Sequence, residues 1–148
     1  MPRIRVSTTL PAPPSAVWPV VADLASHVDW MADAESIRFT TRRRSGVGTT
    51  MEVATRVGPF RLTDVLEVTE WRPGRSIGVR HAGLVGGTGR FTLRRSRLRP
   101  RSTRFTWEER LSFPAWLGGP LGAAVAAAVL RQVWRRNLRR LQGNFVTR

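Results

Sequence analysis

The stretch that most restricts what this chain can become is 114–145, PAWLGGPLGAAVAAAVLRQVWRRNLRRLQGNF. On a wheel of 3.6 residues per turn its second half is two-sided. Ala123, Ala126, Ala127, Leu130, Val133, Trp134, Leu138 and Leu141 share one face, and Arg131, Arg135, Arg136, Arg139 and Arg140 share the other. Pro120 suits a helix start and Gly143 a helix end, so the spacing predicts a helix over 120–142. At about 1.5 Å per residue it is roughly 33 Å long, the width of a small domain. Its first half, 118–130, carries no charge on any side and is rich in Gly and Ala. A helix apolar all round is expected to be buried all round. Small side chains there leave room either for closely packed backbone or for a ligand.

What such a helix packs against is written in the middle of the chain. From Ile37 to Leu111 the apolar period changes to two, with a break every eight to twelve residues, as in an antiparallel meander. Strands are expected over 35–43, 49–57, 60–71, 76–82, 88–98 and 101–113. Gly or Pro marks each reversal between them. One side of these strands is apolar (Ile37, Phe39, Met51, Val53, Val57, Leu62, Leu66, Val68, Ile77, Val79, Phe91, Leu93, Phe105, Trp107, Leu111). The other carries Arg38, Arg56, Arg61, Arg80, Arg90, Arg94, Arg104 and Arg110. Such a sheet has one dry face and one wet face. Upstream, 3–10 alternates as a further strand, ended by Pro11, Pro13 and Pro14. A short helix over 15–24, with Pro19 in its first turn, and a second over 25–31 follow. The resulting order is α+β: an antiparallel sheet of about seven strands curling its dry face around the terminal helix. A single domain over 1–148 accommodates it.

Composition narrows the function classes. All 25 basic residues are Arg, and the formal charge is +15. Such a charge attracts anionic surfaces weakly and admits an anionic ligand. The aromatic interleaving of nucleic-acid modules is missing, so no specific nucleic-acid partner is expected. With no cysteine there are neither disulfides nor thiolate metal ligands. No apolar core follows the basic residues at the N-terminus, and the weakly apolar run 117–130 is too short to span a bilayer. A cytoplasmic protein is expected, and a homodimer is compatible with these features.

Several segments resemble the START-like, or SRPBCC, superfamily in its polyketide cyclase/dehydrase-like branch. Pro13-Pro14-Ser15-Ala16-Val17-Trp18 with Ala22-Asp23-Leu24 resembles the family's opening helix. His27 to Trp30 matches its short second helix, and Ser45-Gly46-Val47-Gly48-Thr49 its Gly-rich turn. Thr69-Glu70-Trp71-Arg72-Pro73-Gly74 resembles another of its turns, with Trp in place of Tyr, and Arg139-Arg140-Leu141-Gln142-Gly143-Asn144-Phe145 resembles its closing helix. The resemblance spans nearly the whole chain. It implies a helix-grip fold with an internal apolar cavity and roles ranging from polyketide cyclisation to lipid or quinone carriage, hormone sensing and plain ligand binding.

Three polar residues interrupt the dry face: Asp64, His81 and Glu109. A carboxylate facing an apolar cavity has its proton affinity raised, as general acids and bases require, and His81 is the sheet's only histidine. These three are the catalytic candidates. Phe91, Phe105, Trp107, Glu109, Trp116, Ala124 and Ala127 are the expected ligand contacts, with Trp116 an exposed apolar contact, either a gate for a lipophilic ligand or a membrane-touching edge. Trp18, Trp30, Trp107 and Trp134 fit core positions. The glycine-rich segment 83–89 reads as a lid over the cavity mouth. No metal set and no cofactor motif is visible. The family's cyclases use Arg, Tyr, Ser or Glu inside the cavity and its hormone receptors an inward Lys; this chain has neither Tyr nor Lys. The leading expectation is a carrier or binding protein for a small hydrophobic molecule, lipid-, quinone- or polyketide-like. A cofactor-independent cyclase, aromatase or dehydratase is the alternative. A basic module for an acidic partner, whether RNA, membrane or protein, is the third reading.

Overall fold

A computed structural model describes residues 2–146. The sheet has seven antiparallel strands: β1 (Arg3–Leu10), β2 (Ala34–Phe39), β3 (Thr50–Val57), β4 (Phe60–Arg72), β5 (Ser76–Ala82), β6 (Gly86–Arg95) and β7 (Thr103–Ser112). Their spatial order is β1-β7-β6-β5-β4-β3-β2, so every pair but one is a sequential hairpin, and β1 closes the sheet against β7. Register shifts at Ala34/Ser36 and at Val68/Glu70 mark irregularities that bend the sheet. Helix α1 (Pro14–Ala22) and a 3-10 helix (Leu24–Asp29) follow β1. Helix α2 (Gly119–Gly143) ends the chain and packs against β1, with Gln142 Nε2 donating to the Thr9 carbonyl at 3.0 Å.

The core lies between the inner sheet face and the second half of α2. Trp134 stacks on Trp107 with ring centroids 4.4 Å apart and planes 15° apart, while Leu138 and Leu141 are buried beside it. Trp30 sits in the same cluster, edge-on to Trp107 and Phe105. Trp18 meets Trp71 edge-on at 5.3 Å. The helix also buries a residue that its apolar stripe does not announce. Asn137 is fully buried; its Oδ1 accepts from the Ala32 amide at 3.0 Å and its Nδ2 donates to Asp33 Oδ1 at 2.7 Å. Both amide atoms of the side chain are thereby satisfied, so its burial carries little penalty.

The departures from the sequence reading sit at element ends. Helix α1 starts at Pro14, so Pro19 lies inside it rather than in its first turn. Strand β2 stops at Phe39, because Thr40 to Gly48 forms the connection that the three consecutive arginines 42–44 keep in solvent. Strands β6 and β7 are shorter at their shared hairpin, where residues 96–102 form the loop and Arg101 takes a positive φ of 57°. Only Gly83, Leu84 and Val85 of the glycine-rich segment form a turn; Gly86 to Gly89 belong to β6. A 3-10 turn (Ala115–Leu117) precedes α2, and Gly143 lies inside the helix. The first half of α2 is not enclosed on all sides: Leu121, Val125 and Val129 are exposed, because this half extends over a cavity instead of a packed sheet. Among the described residues no helix is long and apolar enough to cross a membrane.

Candidate functional site: an apolar chamber with a buried acid–histidine–acid cluster

The inner sheet face and the first half of α2 enclose a chamber of about 720 Å³. Its walls are mostly apolar. Strands β2 to β5 supply Ile37, Met51, Val53, Leu62, Leu66, Ile77 and Val79, and β6 and β7 supply Phe91, Trp107 and Leu111. The helix closes it with Gly122, Val125, Ala126, Val129 and Leu130. Gly122 has a specific reason to lack a side chain. A Cβ there would stand 1.8 Å from the Leu117 carbonyl oxygen, so the turn into α2 passes close over it.

Four of the seven expected contacts line the chamber: Phe91, Trp107, Glu109 and, at the mouth, Trp116. The other three need correction. Phe105 is wholly buried in the aromatic cluster behind the wall. Ala124 is exposed on the outer side of α2. Ala127 is buried in the packed seam and does not face the chamber. The stripe facing the chamber runs through residues 118, 122, 126 and 130 with 121, 125 and 129 along its edge, so of the inward face expected from the wheel Ala126 and Leu130 meet the chamber while Ala127 is buried away from it.

The three polar interruptions of the dry face meet in space. His81 Nδ1 lies 2.9 Å from Asp64 Oδ2, and His81 Nε2 lies 2.7 Å from Glu109 Oε1. All three line the chamber, and His81 and Glu109 are buried. Strand register explains how they reach one another. His81 is on β5 and Glu109 on β7, with β6 between them. The β6 residues opposite them are Gly87, paired with His81, and Gly89, paired with Glu109. Neighbouring strands are about 4.8 Å apart, so the two side chains must cross roughly 10 Å over β6. A side chain on β6 would stand in the way. A Cβ built at Gly89 would lie 2.5 Å from Glu109 Oε1, which shows that the carboxylate occupies the space the glycine leaves.

Both ring nitrogens of His81 face carboxylate oxygens, an arrangement that satisfies an imidazolium donating twice. Burial alone disfavours the charged ring, but the hydrogen bonds and negative charges of Asp64 and Glu109 outweigh it and raise the His81 pKa to about 10. Burial raises the Glu109 carboxyl above its ordinary value, against the opposing pull of His81. The cluster therefore keeps a proton between His81 and Glu109 well above neutral pH. What it offers a ligand is set by this pairing: the ring N–H groups are already used, and carboxylate oxygens remain as acceptors.

Two further polar groups were not singled out from the sequence. Asp33, held by Asn137, lines the chamber close enough to Glu109 to add to its raised pKa. His27 lines it too, with Nε2–H donating to the Val21 carbonyl at 2.7 Å. Burial pushes the His27 pKa down to about 4, so this ring is neutral where His81 is charged. Its ring packs against Trp30 and Phe91. Among the described residues there is no cluster of His, Cys, Asp and Glu suited to a metal ion.

The fold is shared with solved structures of low sequence similarity. A protein of Thermus thermophilus superposes with a TM-score of 0.80 at 18% identity, covering 96% of this chain and 95% of its own. The Zhui aromatase/cyclase of a Streptomyces species gives 0.78 at 18% identity, with 97% and 92% covered. A START superfamily protein of Mycobacterium smegmatis gives 0.78 at 12% identity, with 97% and 96% covered. No curated protein matches the chain in sequence. The family model described as polyketide cyclase/dehydrase and lipid transport matches residues 1–146, nearly the entire length. This chain belongs to the polyketide cyclase/dehydrase and lipid transport family, with the START-like fold that its seven-stranded sheet and long terminal helix display.

Proposed function

We propose that this protein binds a small, mainly apolar molecule in the chamber and holds a polar end of it against the Asp64–His81–Glu109 cluster. One observation carries the reading: an apolar space of about 720 Å³ with a few convergent polar groups on one wall. Small-molecule sites have this make-up and occupy about 300–1,000 Å³. The chemistry of the polar end follows from the cluster. The chain is strongly basic, yet Asp33, Asp64 and Glu109 put three carboxyl groups along the chamber. An anionic ligand is disfavoured there, and a hydroxyl or phenol that donates to a carboxylate oxygen is favoured. A hydroxylated polyketide, a quinol or a sterol-like lipid has that form.

A second reading, catalysis of a cyclisation or dehydration without cofactor, is favoured by the same cluster. A proton shared between a buried carboxyl and an imidazole beside an apolar substrate space is the equipment of general acid–base chemistry. The cluster holds that proton tightly at neutral pH, which suits an acid that delivers it only to a strongly basic developing centre. Carriage makes no such demand and stands first.

Uptake of a fluorescent hydrophobic probe tests the binding reading. Ala126→Phe projects into the chamber and should abolish uptake while the thermal midpoint stays near that of the parent. Ala127→Phe enters the packed seam and should cost about 1–3 kcal/mol of stability instead. Uptake that survives Ala126→Phe unchanged would sink the reading. Native mass spectrometry of the purified protein should identify a co-purifying apolar molecule.

A further inference from the structure

The chamber mouth carries a ring of apolar side chains. Of the nine large apolar residues that stand exposed among the described residues, six line this one opening: Phe60, Leu84, Trp116, Leu121, Val125 and Val129, each between 44% and 76% exposed. They arrive from separate parts of the chain: the β3–β4 turn, the β5–β6 turn, the 3-10 turn before α2, and α2 itself. Exposed apolar groups scattered singly need no explanation, but a contiguous patch marks a contact surface. Basic residues stand beside it. Arg61, next to Phe60, lines the opening, and Arg56 and Arg110 lie near the ends of β3 and β7 beside Val57 and Leu111, which line it; all three arginines are exposed. Arg56 stands 3.8 Å from the exposed Glu35 carboxylate.

We propose that this mouth is a docking surface for an anionic lipid bilayer. The occupant follows from shape and charge. Tips from several turns form no continuous groove for a peptide helix or strand, whereas a fluid interface accepts separate side chains, Trp above all. A second copy of this chain fits poorly. Mouth-to-mouth pairing would bring Arg56, Arg61 and Arg110 against their own copies in a molecule already at +15. A negative bilayer surface meets the same arginines favourably, within the screening distance of about 8 Å at physiological salt. Docking would place the opening directly on the apolar phase from which a ligand enters. The proposal rests on the reading of the chamber as a ligand site. Vesicle binding is measured with no ligand added and probe uptake with no vesicles, so either can fail while the other stands.

The experiment is co-sedimentation with vesicles of equal parts phosphatidylglycerol and phosphatidylcholine, and of phosphatidylcholine alone, at 0.15 M NaCl. The protein should bind the anionic vesicles at least tenfold more tightly. Trp116→Ala/Leu121→Ser should weaken that binding at least tenfold, with the thermal midpoint unchanged because both side chains are exposed. Arg56→Gln/Arg61→Gln/Arg110→Gln should weaken it comparably. Arg97→Gln/Arg99→Gln/Arg101→Gln removes the same charge at the opposite end of the sheet and should have less than a threefold effect. Equal losses from the two arginine triples would show a non-specific charge effect and overturn the proposal. So would binding indifferent to the Trp116 and Leu121 changes, or a concentration-dependent dimer that those changes dissolve.

Discussion

The buried cluster makes the stability of this protein depend on pH in a range where almost nothing else in the chain titrates. There is no lysine, tyrosine or cysteine, and arginine keeps its proton throughout. The folded-state pKa of His81, about 10, stands above its ordinary 6.5. A group raised in this way contributes stability that is complete below the ordinary value and is lost as pH rises through the folded one. Between those limits the folded protein holds one proton more than the unfolded chain, so each pH unit removes a little over 1 kcal/mol. Glu109, also raised, acts in the same direction. From pH 7 to pH 9 the unfolding free energy should therefore fall by roughly 2–3 kcal/mol. Urea unfolding at pH 7, 8 and 9 measures it. The double variant His81→Gln/Glu109→Gln replaces both titrating groups with amides that can still bond one another, and its stability should be nearly flat over that range. The terminal amine is common to both proteins. A flat parent profile, or a double variant that keeps the full slope, would refute the assignment of the proton to this cluster.

On the acid side His27 acts in the opposite sense to His81 and Glu109: its pKa of about 4 lies below 6.5, so the stability it contributes is lost as pH falls from 6.5 toward 4, and His27→Gln should reduce that loss. Trp134→Ala should cost about 3–5 kcal/mol, because it removes a buried ring stacked on Trp107, whereas Leu130→Ala, facing the chamber, should cost distinctly less in chemical denaturation. Asn137→Ala strands the Ala32 amide and frees Asp33, and a loss of about 1–3 kcal/mol is expected from the same measurement.

The frame was legible because it is a matter of period. Alternation from Ile37 to Leu111 gave the strands and their inward faces, and Gly and Pro gave the reversals, since both are local properties of the chain. The helix was legible in its second half for the same reason, where Trp134, Leu138 and Leu141 are buried as the wheel requires. In its first half the wheel had no charge to orient it. Ala124 and Ala127 were then as good as Gly122 and Ala126, and only the docking of Trp134 on Trp107 decides which of them faces the chamber. Asn137 shows the converse limit. A polar residue on an apolar stripe reads as a flaw until its partners, a backbone amide and a carboxylate some hundred residues away, are seen to satisfy it.

The cluster marks the boundary most clearly. Asp64, His81 and Glu109 were each visible as a polar residue on a dry face, but that they meet depends on register, which no single strand contains. The deciding positions are Gly87 and Gly89, which the sequence presents as part of a flexible turn. Gly89, paired with Glu109, leaves the space that the carboxylate occupies on its way to His81; Gly87, paired with His81, has a positive φ of 125°, and a Cβ there would strike the Arg110 carbonyl. Glycine weakens a strand interior, so two of them side by side on one face need a compensating use. At Gly87 the use is backbone conformation and close approach to Arg110; at Gly89 it is chemical, since the missing side chain lets an imidazole and a carboxyl from strands two apart bury themselves in contact, in a chamber whose remaining walls are mostly apolar. Gly89→Ala should accordingly displace Glu109 from His81, and the pH 7–9 slope of stability should shrink with it, even though neither titrating residue has been changed. A Gly89→Ala variant with the parent's slope would mean that the carboxylate has another route to the ring.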